Sequence, residues 1–238
     1  MEEIIGRTRQ KGSFEWSWIN GQLQKLKQQC KERNFTTFQP FSSVYEDFQK
    51  AVNEHYNSSF NAIYFEDFDR AVTPLFMSYL KETALAYQTQ QDPYSSFSNS
   101  DFLSQCKLYS HCTQQELNIK DKFIIQNTNS PYEQSIKLIK QIPSLSTFQE
   151  ISEYINQSVT LIYEEVAKVS STLLTGDDIT DIIVYIVLKS AASGLIQTLC
   201  CYQNHMPQAL LTGETGYNAM GIMMAATVIC QITPEYFR

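Results

Sequence analysis

Across residues 146–170 the apolar side chains Phe148, Ile151, Ile155, Val159, Ile162 and Val166 recur at intervals of three and four. That spacing winds all six onto one face of an α-helix. A helix so long and so one-sided needs other elements to cover its apolar stripe. The pattern repeats across residues 14–33, in the series Trp16, Ile19, Leu23, Leu26 and Cys30, and across residues 42–56, with Val44, Phe48, Val52 and His55 as the inner stripe. A further helix is expected over residues 65–87, where Pro74 should kink it or delay its start. Only eight Gly and seven Pro punctuate 238 residues. Turns are therefore few, and the chain is expected to be all-α, a layered helical bundle.

Two polar, Pro-containing stretches interrupt the helical pattern. QTQQDPYSSFSNS at 88–100 reads as a loop between layers, and QNTNSPYE at 126–133 as a second break. The expected organisation is an N-terminal helical layer over residues 1–90 packed on a helical core over residues 100–238, forming one compact unit. Within the core, IIVYIVL at 182–188 is bounded by Asp181 and Lys189. It falls short of the ~20 residues a bilayer span needs, so it reads as a core helix, and membrane contact is expected only peripherally, through partners. After Tyr217 no charge occurs until Glu235, and Met220, Met223 and Met224 recur among Gly221, Ala225 and Ala226. A helix apolar on all sides is either buried or part of a docking surface, and core is expected for most of its residues.

Several function classes find no support in this pattern. The net charge is −7 and the most basic stretch is KLKQQCKER, which argues against a nucleic-acid partner. Six cysteines lack CxxC spacing and no signal peptide opens the sequence, so they read as small buried hydrophobes in the cytoplasm. His55, His111 and His205 match no metal spacing, and each is expected to be a surface or a satisfied core residue. No nucleophile elbow, phosphate-binding loop or dinucleotide fingerprint is present. No metal, cofactor or covalent catalysis is expected.

One phrase occurs twice, as LLTGDDITD at 173–181 and as LLTGETGY at 210–217. Gly interrupts a preceding element and Thr or Asp caps the next, so both phrases read as helix starts. Thr175 and Asp178 stand at capping-box spacing, and capping by itself is sufficient to explain the Asp177–Asp178 pair. A repeat is set aside, because ITDIIVYIVLKS has no counterpart after Glu214.

The order of these features, GDDITDIIVYIVLKS, then a helix ending near CCYQN, then LTGETGYNAM and a small-residue helix, resembles the vacuolar protein sorting nine family. These are helical guanine-nucleotide exchange factors for early-endosomal Rab GTPases. LYSHCTQQELNI at 108–119, SPYEQSIKLIKQI at 130–142 and FEDFDRAVTPLFMSYL from residue 65 look like further family segments in order. The resemblance implies that Asp177 is the acidic finger entering the nucleotide site of the GTPase, with Gly176 allowing the turn that projects it. It further implies that Tyr217 touches the switch region and that Asp178, Asp181, Met220 and Met224 border the partner. Asp181 stands where the family usually has Pro, within the first turn of the helix, and Met220 where a small polar residue is usual. The implied activity is release of GDP from an early-endosomal Rab by a cytoplasmic protein recruited peripherally to endosomes. Two alternatives are a Rab-binding module without exchange activity and a helical scaffold.

Overall fold

Ser13 starts the first long helix: its side chain accepts a hydrogen bond from Trp16 N at 3.0 Å, satisfying one of the amides that a helix start leaves without a partner. The computed structural model describes residues 2–33, 39–56, 63–91, 98–126, 130–233 and Tyr236, and among them every regular element is helical. The chain divides into two units. One comprises Met1–Ser96 with Ser146–Ile151 and Cys200–Gln208, the other Phe97–Leu145 with Ser152–Leu199 and Ala209–Arg238.

The first unit holds α1 (Glu2–Arg7), α2 (Phe14–Glu32), α3 (Phe41–Tyr56) and α4 (Phe65–Gln91), with α4 packed against the other three. Its core is aromatic. Phe41 lies 5.4 Å from Phe68, 5.3 Å from Phe76 and 6.1 Å from Phe148, ring centre to ring centre. Phe41, Val44, Phe48 and Val52 form the buried stripe of α3, whereas His55 is exposed and stacks on Phe14 at 3.9 Å. The inner stripe thus begins at Phe41 and does not extend to His55. Pro74 stands inside a continuous α4, which neither starts late nor ends at residue 87. Residues 88–91 belong to that helix instead of the expected loop, and residues 92–97 lie outside the described ones.

A buried acid joins distant sequence here. Asp69 of α4 accepts from Phe148 N at 3.1 Å and Gln149 N at 2.8 Å, capping the next long helix from 79 and 80 residues away. Loss of water raises its carboxyl above the usual range, while the bonds it accepts hold it down. His205 is the other buried polar anchor. Phe41 N donates to its Nδ1 at 3.0 Å, and its Nε2 lies 3.3 Å from Leu80 O, so it is the satisfied core histidine the sequence allows.

The second unit holds α5 (Asn99–Leu108), α6 (Glu133–Gln141), most of α7 (Phe148–Ala167), α8 (Gly176–Ser190), the start of α9 (Leu195–His205), most of α10 (Gln208–Leu211) and α11 (Glu214–Gln231). α8 is the central element. α6 and α11 pack against it, and α5 packs on α11. Ile179, Ile182, Ile183 and Ile186 are buried as one face requires, and Val184, Tyr185, Val187 and Leu188 are buried as well. No helix among the described residues is long and apolar enough to cross a membrane.

His205 generates a pH prediction. Burial lowers it from 6.5 to about 4, so between these values the unfolded chain binds a proton that the native chain refuses. Its neutral form stabilises the fold above pH 6.5, and that contribution falls as pH drops toward 4, by at most about 3 kcal/mol. Urea midpoints from pH 7 to pH 4 should fall more steeply for the native chain than for His205→Gln; parallel curves would refute the assignment.

Candidate partner-binding site

α8 begins with a complete capping box. Thr175, in extended conformation, accepts from Asp178 N through Oγ1 at 3.4 Å. The Asp178 carboxylate reaches back and accepts from Thr175 N at 2.9 Å and from Thr175 Oγ1 at 2.7 Å, both through Oδ2. Its other oxygen, Oδ1, pairs with Lys120 Nζ at 2.6 Å. The Asp178 side chain is 1% exposed, so the aspartate of the pair that faces inward is fully engaged. The hydrogen bond from Lys120, aided by those from Thr175, lowers its carboxyl to about 2. The same bond, together with the negative charges of Asp178, Asp177 and Asp181, raises the Lys120 ammonium.

Asp177 points the other way. It is exposed, one residue into the helix after Gly176. Gly176 has no special role in this turn: a Cβ there would meet no atom within 4 Å, and the residue has no left-handed φ. Asp181 is the sixth residue of α8, beyond the free amides of the first turn, which corrects the expected position. Proline there would remove an intrahelical hydrogen bond. Asp181 is half-exposed, and its charge, after burial, helps raise the Tyr236 phenol.

Lys120 is held by its own loop. Leu117, Ile119 and Phe123 are buried around it, and Gln114 clamps Ile125 through paired bonds, Nε2 to Ile125 O at 3.0 Å and Ile125 N to Oε1 at 3.1 Å. Asn118, with φ 64°, donates to Tyr236 O at 3.3 Å, bringing the chain beyond α11 to the same loop.

The second Thr-Gly-acid phrase also starts a helix, by different means. Gly213 occupies the cap position and has no side chain to donate or accept. The first turn of α11 is held from α7 instead: Asn156 Nδ2 donates to Thr215 Oγ1 at 2.7 Å, and Asn218 Nδ2 donates to Asn156 Oδ1 at 3.2 Å. Gly216 is required here, because a Cβ would overlap the carbonyl of Leu211. From this turn Tyr217 projects, 69% exposed, followed by Met220 at 49% and Met224 at 54%. Their spacing of three and four sets them on one face of α11. Ala219, Ile222, Ala225, Ala226 and Ile229 occupy the buried face.

α11 meets α8 near Gly221, where an added Cβ would lie 3.7 Å from Ile183 Cδ1. Asp177 is six residues before that point on α8 and Tyr217 four residues before it on α11. At 1.5 Å per residue these are about 9 Å and about 6 Å along their helices. Asp177 and the exposed stripe of α11 thus belong to one pair of packed helices, while Asp178 lies beneath the surface. Among the described residues no group of three His, Cys, Asp or Glu is placed to hold a metal. Lys120, Asn156 and Gly216 escape the sequence reading, because the partners that define them are distant in the chain or are backbone. No protein-family model matches the chain, and a search of curated proteins finds no match.

The two aspartates should separate in stability measurements. Asp178→Ala removes the capping box and leaves Lys120 unpaired, which should cost about 1–3 kcal/mol. Asp177→Ala should stay within about 0.5 kcal/mol of native. Because the Asp178 pKa is depressed, its contribution is complete above pH 3.8 and is lost as pH falls through about 2. Urea titration at pH 7 and at pH 3 distinguishes the two variants, and equal losses at pH 7 would refute this division of roles.

Proposed function

We propose that this protein is a guanine-nucleotide exchange factor for a Rab-family GTPase of the early endosomal group. The observation that carries the reading is an exposed carboxylate, Asp177, at the start of α8, together with an exposed apolar stripe, Tyr217, Met220 and Met224, on α11, the helix packed against α8. These are the positions that the family resemblance implies for the finger and the switch contact. The exposure of these side chains is what the resemblance requires of them.

The chemistry needed is electrostatic, with no covalent step. A GTPase holds GDP through Mg²⁺, a phosphate-binding lysine and backbone amides. A carboxylate brought into that site repels the phosphates and competes for the metal. Once phosphate leaves, it can pair with the lysine. Accelerating release a thousandfold requires about 4 kcal/mol of differential stabilisation. Asp177 suits this task because Asp178, Thr175 and Lys120 fix the helix start beneath it. Tyr217, Met220 and Met224 supply apolar area for binding, and flexible methionines adapt to an imperfect fit.

Release of fluorescent GDP from a panel of Rab GTPases tests the reading. Asp177→Ala should reduce the release rate at least a hundredfold, roughly the loss of about 3 kcal/mol of transition-state stabilisation, with an unchanged melting temperature. Tyr217→Ala should raise the half-saturating concentration and leave the maximal rate nearly intact. Capture of nucleotide-free GTPase without release would make the protein a binding module. Full activity in Asp177→Ala would exclude the finger. Asp181→Asn should keep the fold and alter the ranking of GTPases on the panel, because it removes a negative charge one turn from Asp177; an unchanged ranking would deny Asp181 a part in partner choice.

A further inference from the structure

Leu173 precedes the Thr175 cap by two residues and is 88% exposed, more than any other large hydrophobic side chain among the described residues. A single exposed leucine is ordinary on a protein surface. This one is held in place. Val169 N and Ser170 N both donate to Val166 O, at 3.0 and 2.9 Å, as α7 ends. Thr172 N donates to Ser170 Oγ at 3.2 Å, and Thr175 N to Asp178 Oδ2 at 2.9 Å. Ser171, Leu173 and Leu174 are the residues of the connection that fall between these fixed amides, and Leu174 is half-buried. The connection from α7 to α8 therefore presents Leu173 outward from a hydrogen-bonded base.

Its neighbourhood carries three aspartates, with Lys120 paired to the buried one, Asp178. Asp177 is four residues on, so the chain can separate the two by no more than about 14 Å. Asp177 is exposed and Asp181 half-exposed on the same helix start. With Asp178 and Lys120 paired, the exposed Asp177 and half-exposed Asp181 leave a net negative charge, and a complementary surface offers an apolar patch beside positive charge. We infer that Leu173 is a specificity-determining contact of the GTPase site: it docks on an apolar patch bordering the basic, phosphate-holding pocket that Asp177 enters. The inference rests on the exchange-factor reading and extends its surface from α11 to the connection before α8.

Leu108 provides a matched control. It is 59% exposed at the end of α5. It lies two residues from Ser110, whose carbonyl accepts from Lys189 Nζ at 2.6 Å. Lys189 is twelve residues beyond Asp177, about 18 Å along α8. GDP release should be measured at increasing concentrations of the native chain, Leu173→Ser, Leu173→Met, Leu108→Ser and Asp177→Ala on the same panel. Leu173→Ser should lower kcat/KM about tenfold through KM, with native kcat and melting temperature. Leu173→Met should restore most of the loss, and Leu108→Ser should match native. Native kinetics in Leu173→Ser, or an equal loss in Leu108→Ser, would overturn the contact while leaving the finger standing if Asp177→Ala is inactive. A native chain that neither releases GDP from nor captures any member of the panel would overturn both.

Discussion

A carboxylate removed from water must be paired or it destabilises the fold, and Asp178 meets that requirement with three donors: Thr175 N, Thr175 Oγ1 and Lys120 Nζ. Much of the second unit's working geometry depends on this one group. It closes the first turn of α8, ties that turn to the loop carrying Lys120, and so determines which member of the Asp-Asp pair faces outward. With Asp178 committed, Asp177 is the carboxylate left on the surface. α8 is otherwise buried on almost every side, so the base beneath Asp177 has little freedom to move. A charge on a fixed base needs little reorganisation, the condition under which electrostatic interactions are strongest.

The helices were legible because their signal is local. Steps of three and four in the apolar residues locate α2, α3 and α7 without reference to anything else in the chain. Both Thr-Gly-acid phrases precede helices, at Gly176 and Glu214, but only the first is capped as its Thr predicts; at the second the cap is Gly213, with no side-chain bond. The reading fails where the cause is tertiary. His55 fits the period of α3 yet stacks on Phe14 at the surface, because periodicity fixes a direction and cannot say where the covering layer ends. Gly176 was expected to matter and meets nothing, whereas Gly216 touches a backbone carbonyl that no pattern announces. Lys120 and Asp178 are 58 positions apart, and Asp69 and Phe148 are 79 apart. Contacts of this kind leave no periodic trace in a single sequence.

Asp181 illustrates a finer limit. A helix start can be inferred from Thr, Gly and Asp to within a few residues, but the chemistry of each position changes over that interval. Within the first turn the amide is free and proline is harmless; at the sixth residue the amide is already committed to the residue four before it. One turn of uncertainty reverses the expected effect of proline at that position.

α11 is the converse case, in which sequence gives the composition and only packing gives the meaning. Its apolar residues surround the helix, so hydrophobicity cannot orient it. In the structure Ala219, Ala225 and Ala226 go inward with Ile222 and Ile229, and Gly221 lies against Ile183, while Tyr217, Met220 and Met224 go outward. Small inward residues, with Gly221 against Ile183, allow α11 to approach α8 closely. Each outward methionine forgoes part of the roughly 1.5–3 kcal/mol that its burial would contribute. Tyr217, Met220 and Met224 thus form an exposed apolar stripe on a helix whose opposite face is buried.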